Sequence, residues 1–125
     1  MRLGVIGSRR YPNRYIAEET IRRLAVQQPG IAIVSGGGEG VEAWVVEEAR
    51  RCGLSVTEFK PDPETYGDRA EAEQKTLIAE VAQGVLAFWD GQSKETLDRL
   101  RQVKALDKQI RIVMPDGSEP MPYPV

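Results

Sequence analysis

Three short stretches hold most of the residues able to do chemistry: Gly7, Ser8 and Arg9 in GSRRYP (7–12), Ser35 to Glu42 in SGGGEGVE, and Asp90, Gly91, Ser93 and Thr96 in DGQSKET (90–96). Each joins glycine to hydroxyl or charged groups. Without side chains at Gly36, Gly37, Gly38 and Gly40, a ligand reaches main-chain amides directly. The helix-like pattern that starts at Val41 sets unpaired N–H groups and a partial positive charge beside those glycines, where an anion or a hydroxyl-rich group fits. Ser35 adds a hydroxyl. The rival explanation is a tight strand-to-helix turn that needs positive φ. Ser93 can equally act as a helix N-cap.

The carboxylates divide the chemistry further. Glu39, Glu42 and Glu95 stand at helix starts, where a carboxylate occupies the favourable position itself and repels a dianion. They are either cap and dipole partners, or acceptors for ribose hydroxyls while Arg9 or Arg10 faces a phosphate. For acid or base work near the loops, the candidates are Glu42, Glu39, Asp90 and Glu95. Trp89, just before the third loop, either stacks a base or packs locally. A literal dinucleotide fingerprint also exists, Gly38-x-Gly40-x-x-Ala43 with Glu58 twenty residues past Gly38. It follows the second predicted strand rather than the first, so it is set aside as a classical NAD site.

Composition narrows the options. The 125 residues include no histidine and one cysteine, Cys52. An internal disulfide, a Cys/His zinc site and a histidine-dependent nucleophilic mechanism are therefore out of reach. Cys52 falls on the apolar side of a helical pattern and reads as an inert core thiol. No metal or cofactor is expected. The net charge of −2 speaks against general adhesion to nucleic acid. Residues 1–30 nevertheless carry six arginines (2, 9, 10, 14, 22 and 23) against Glu18 and Glu19. No apolar run reaches the roughly 18 residues of a membrane span, and RLGVIG near the start is too short for a signal peptide's core. The expected setting is cytoplasmic.

The elements that must position these loops alternate along the chain. RLGVIG (2–7), IAIVS (31–35), LSVTEF (54–59), GVLAFW (84–89) and IRIVM (110–114) read as buried strands. Helical patterns cover 13–28, 40–52, about 70–82, and 94–107. Their inward stripes are Ala17, Ile21, Leu24 and Ala25; Val41, Trp44, Val45, Ala49 and Cys52; and Leu97, Leu100, Val103 and Leu106. KPDPETYGDR (60–69), with two prolines and a glycine, reads as a loop. The alternation predicts an α/β, Rossmann-like three-layer domain over 1–114, its five-stranded and mainly parallel sheet ordered 3-2-1-4-5. Residues 115–125 contain four prolines and read as an irregular tail, a candidate for packing against another subunit. In such a sheet ligands sit beyond the carboxyl ends of the strands, where the order reverses, and all three loops lie at those ends.

Taken together, VIGSRR, IVSGGGEGVEAWVVEEARRCG and VLAFWDGQSKET resemble the YspA-like family of the SLOG superfamily, across about residues 3–114. That superfamily joins the DNA-processing Smf/Dpr Rossmann domains with the Lonely Guy phosphoribohydrolases. The resemblance implies a pocket for a nucleotide or nucleotide-derived ligand formed by these loops. The chain departs from the pattern in places. Gly37-Gly38-Glu39-Gly40-Val41-Glu42 replaces Gly-Ala-x-Gly-Ala-Asp, and Gln74-Lys75 stands where an Arg-Asn pair is usual. The third motif ends Glu95-Thr96 rather than Gly-Thr. The hydrolases' Pro-Gly-Gly-x-Gly-Thr-x-x-Glu signature lacks its proline here, and Arg99 takes the position of its glutamate. The first expectation is therefore a binding or sensing module. The alternatives are an N-glycosidic or phosphoribosyl hydrolase with altered catalytic residues, a single-stranded-DNA module using the amino-terminal arginines, and a purely structural role.

Overall fold

Near-continuous apolar runs in the strands require both faces of the sheet to be covered, and the computed structural model has that arrangement. It describes residues 1–120. Strands β1 (Arg2–Gly7), β2 (Ala32–Ser35), β3 (Ser55–Glu58), β4 (Gly84–Phe88) and β5 (Gln109–Val113) form one all-parallel sheet, ordered β3-β2-β1-β4-β5. The chain runs outwards through β1, β2 and β3, then returns to the far side of β1 for β4. The order therefore reverses at the centre, with Gly7 at the end of β1 in register with Phe88 at the end of β4.

Strand alternation sorts the side chains into two cores. Leu3, Val5, Ile33, Leu86 and Phe88 face α1 (Arg14–Gln27) and α2 (Val41–Arg51), and meet Ala17, Ile21, Leu24, Val41, Val45 and Ala49. Ile6, Val85, Ala87, Ile110 and Ile112 point the other way. They meet Ala79 and Ala82 at the end of α4 (Ala70–Val81), and Leu100 and Val103 of α5 (Lys94–Ala105). Burial of each valine, leucine, isoleucine or phenylalanine among them contributes roughly 1.5–3 kcal/mol. Tyr11 closes the first core. Its ring meets Phe88 edge-on at 5.5 Å, and its hydroxyl donates to the Met114 carbonyl at 2.8 Å. Burial, then the nearby Asp116 charge, pushes the phenol up to about 12, which keeps it a donor at ordinary pH.

Helix ends follow their local chemistry. Asn13 caps α1 by accepting from the Ile16 amide, as its position after Pro12 predicts. Beyond α2, Gly53 takes φ +77 and closes a Schellman motif, its amide bonding Arg50 O and the Leu54 amide bonding Ala49 O.

Three sequence expectations are refined. The segment 60–69 is more than loop. Asp62 accepts from the Thr65 amide, and Pro63 opens a one-turn helix α3 (Pro63–Tyr66) that leads through a 3-10 turn into α4. Proline at the first helical position starts a helix rather than breaking it. Leu106, expected on the inner stripe of α5, is its C-terminal cap and 43% exposed. Cys52 is half-buried, packed at the margin of the first core.

Residues 115–120 form no helix or strand. They turn back through a Met114 N to Ser118 O bond, and the Asn13 amide donates to Pro115 O. The remaining five residues of the expected tail lie outside the described residues. Among the described residues no helix is long and apolar enough to cross a membrane.

Candidate functional site

The first and third loops are knotted together by a single hydroxyl. Ser8 turns inward and is 1% exposed. Its amide donates to Phe88 O at 3.0 Å, while its Oγ lies 3.1 Å from Thr96 Oγ1 and accepts from the Asp90 amide at 3.2 Å. Ser93 caps α5 through the Thr96 amide, as its helix-start position predicts. Asp90 Oδ1 accepts from the amides of Gln92 and Ser93 at 2.9 and 2.8 Å. Asx bonds of this kind replace backbone turns in short loops.

The glycine loop is braced from the protein side. Ser35 is fully buried and its Oγ accepts from the Gly37 amide at 3.3 Å. Gly40 holds φ +71 and ψ −128 directly before α2, and a Cβ there would stand 2.8 Å from the Arg9 carbonyl oxygen. The first two loops therefore touch backbone to backbone. Glu42, in the first turn of α2, reaches Arg99 Nη1 of α5 at 3.2 Å; both side chains are largely buried, 8% and 13% exposed. Gly38 lies over that carboxylate, its place for a Cβ 3.2 Å from Glu42.

These contacts enclose a cavity of about 490 Å³ at the reversal point. Of the residues singled out from sequence, Gly7, Arg9, Gly36, Gly37, Gly38 and Glu39 line it, together with Glu42, Asp90, Ser93 and Thr96. Ser8, Ser35, Gly40 and Gly91 do not. The two serines point into the fold, Gly40 packs on Arg9, and Gly91 (φ +82) lies nearest Met114. Trp89 also stays out of the cavity; it packs against the second core and donates to Ser93 O at 3.1 Å. Glu58, the acid of the dinucleotide-like pattern, pairs with Arg50 at 3.3 Å and lines a separate cavity on the far side of Gly37 and Gly38.

Further lining comes from Arg10, Pro61, Glu71, Gln74, Lys75, Gln92, Glu95 and Arg99. Gln92 falls inside DGQSKET but has no distinctive chemistry there, Pro61 marks only a loop, and Glu71 is marked by neither a motif nor an apolar period. Arg10 and Glu95 are ligand-contact candidates from the sequence. Gln74, Lys75 and Arg99 stood out only as departures from a family pattern.

The charges around the cavity are mostly spoken for. Arg99 holds Glu42, and Lys75 holds Glu95 at 2.8 Å. Arg9 and Arg10 are exposed, and neither forms a hydrogen bond or ion pair among the described residues. Glu39 and Glu71, also on the lining, are likewise exposed and unpaired among the described residues. The cavity lining therefore carries both unpaired guanidiniums and unpaired carboxylates. No group of three or more Asp, Glu, Cys or His among the described residues is placed to hold a metal ion.

Two of these carboxylates tie the loops to acid stability. At Asp90, burial pushes the carboxyl up, but the amide bonds from Gln92 and Ser93, with Ser8, outweigh it, and the net shift is down. Glu95 is lowered by its bond to Lys75 against a smaller burial cost, helped by the Lys75, Arg9 and Arg99 charges. Both fold with a depressed pKa. Their contribution is complete above the unfolded value of about 4 and is lost as pH falls through the depressed folded values. Thermal melts between pH 7 and 2.5 should fall on the acid side, and Asp90→Asn should flatten part of that fall. An acid limb unchanged in the variant would remove Asp90 from this role.

No protein-family model matches the chain, and no curated protein matches it. Among solved structures it is similar to the X-ray structure of TM1055, a structural-genomics target, at 22% identity, covering 87% of this chain and 71% of that one, with a TM-score of 0.69. At that identity the likeness shows the fold, and the chain has a Rossmann-like parallel α/β fold shared with TM1055.

Proposed function

We propose that the cavity binds a nucleotide or a nucleotide-derived small molecule, as a binding or sensing module of the SLOG type that the three motifs resemble. The observation that carries this reading is convergence. Loops more than 80 residues apart in sequence meet in one polar cavity at the strand-order reversal, the place where open α/β sheets take ligands. About 490 Å³ falls in the usual range for small-molecule sites. The unpaired guanidiniums of Arg9 and Arg10 suit a phosphate. Glu39 and Glu71, also on the lining, suit hydroxyl or amino groups of the same molecule.

The hydrolase alternative has less support. Glu42 and Glu95 are committed to ion pairs and Asp90 to backbone amides. That leaves Glu39 and Glu71 as the unengaged carboxylates around the cavity. The single-stranded-DNA alternative is left with Arg9 and Arg10 as its unpaired amino-terminal arginines, because Arg14, Arg22 and Arg23 pair with glutamates of α1 and α2, and Arg2 donates to Val81 O.

Thermal shift and calorimetry with AMP, ADP-ribose, ribose 5-phosphate and adenosine test the reading. A phosphate-bearing member at 100 times its Kd should stabilise the fold by about 2.7 kcal/mol. Adenosine should bind more weakly, and Arg9→Ala/Arg10→Ala should remove the difference. No shift across the panel would end the nucleotide reading.

A further inference from the structure

Gln74 of α4 donates from one nitrogen to two main-chain carbonyls. Nε2 lies 2.8 Å from Gly36 O and 2.7 Å from Phe59 O. Those carbonyls sit where the chain leaves β2 and β3, and the same two segments are joined by a Phe59 N to Ser35 O bond of 2.8 Å. The amide orientation is fixed by chemistry. Carbonyl oxygens only accept, so the NH2 group must face them, and Oε1 faces elsewhere. No buried side-chain polar atom among the described residues lacks a partner, so Oε1 is in contact with solvent. Gln74 borders the cavity, which offers Oε1 that solvent space. Gly36 makes this approach feasible, since a Cβ there would stand 2.8 Å from Nε2.

We infer that Gln74 is the positioning residue of the glycine loop, and that its Oε1 selects a ligand bearing a hydrogen-bond donor, an amino or hydroxyl group, at the α4 side of the cavity. With the Gly36 carbonyl held towards α4, the peptide units of Gly37 and Gly38 keep one orientation along the cavity wall. The latch stands on contacts within the fold. The selection of a donor rests on the cavity being the ligand site proposed above.

Three variants separate these statements. Gln74→Glu has nearly the same shape but no donor at neutral pH, so it sets a carboxylate against two carbonyls. Gln74→Lys restores donors on a longer stem, as Lys108 does for the carbonyls of Ala79, Glu80 and Ala82, and removes the acceptor. Gly36→Ala displaces Nε2 without touching residue 74.

Hydrogen exchange of the Gly37 and Gly38 amides by NMR reads the latch. It should quicken about tenfold in Gln74→Glu and Gly36→Ala, and stay within about twofold of the parent in Gln74→Lys. Calorimetry with AMP reads the acceptor. Affinity should fall about tenfold in Gln74→Lys, which keeps the latch but lacks the acceptor, since one hydrogen bond is involved. Unchanged exchange in Gln74→Glu and Gly36→Ala overturns the latch. Full AMP affinity in Gln74→Lys overturns the acceptor role. If the parent protein binds none of the nucleotide panel, the ligand-site reading fails and the acceptor role with it, while the exchange data still decide the latch.

Discussion

Arg99→Ala should lower stability by about 3 kcal/mol, the usual cost of stripping one partner from a buried ion pair. For a domain of this size that is a fall in Tm of roughly 10 °C. The carboxylate left behind is 8% exposed, sits beneath the backbone of Gly38, and has no other cation bonded to it. Its place in the first turn of α2 softens the loss slightly through the helix dipole. Removing both charges is a different experiment. Glu42→Leu/Arg99→Leu should recover most of the stability, because apolar replacement of a buried pair is often neutral or better. A double-mutant cycle by chemical denaturation measures the coupling. If Arg99→Ala costs less than about 1 kcal/mol, the pair behaves as a surface bridge and is no fixed floor for the cavity.

The second large effect is Gly40→Ala. Its φ of +71 with ψ of −128 is a glycine conformation, and the new methyl would meet the Arg9 carbonyl at 2.8 Å. Strain and clash fall on backbone at both sides, so neither neighbour can simply rotate away. The expected cost is about 3 kcal/mol, read from denaturant midpoints at unchanged m-value. Gly36→Ala should cost less, because the atom in its way is the end of a glutamine side chain. The reverse ranking would contradict the contact between the first two loops.

These two sites show where sequence reading succeeds and where it stops. The sheet order was legible because apolar runs of strand length alternate with helical stripes, and few topologies accommodate that pattern. The convergence of loops at residues 7–9, 36–42 and 90–96 followed from the order alone. The reason for the glycines was only partly legible. They looked like room for a ligand, and the structure adds protein neighbours for them: Gln74 at Gly36, Glu42 at Gly38 and the Arg9 backbone at Gly40. Side-chain direction explains the rest. Ser8 and Ser35 read as loop hydroxyls, but each sits at a strand end and follows the pleat inward. The partnership of Glu42 with Arg99 spans 57 residues and depends on the phase of two helices, which spacing does not encode. Gln74 lies on α4, whose apolar period is the weakest of the long helices, so its face was not readable.

The central claim is that a ligand occupies the space between these three loops, and backbone NMR of the labelled protein titrated with AMP addresses it most directly. The account predicts saturable shifts confined to Gly7–Arg10, Gly36–Glu39, Glu71–Lys75 and Asp90–Thr96. Shifts centred instead on Ala43, Val46 and Arg50 beyond the glycine loop, or on Met1, Leu24 and Arg111 at the opposite end of the strands, would place the ligand in another cavity and contradict it.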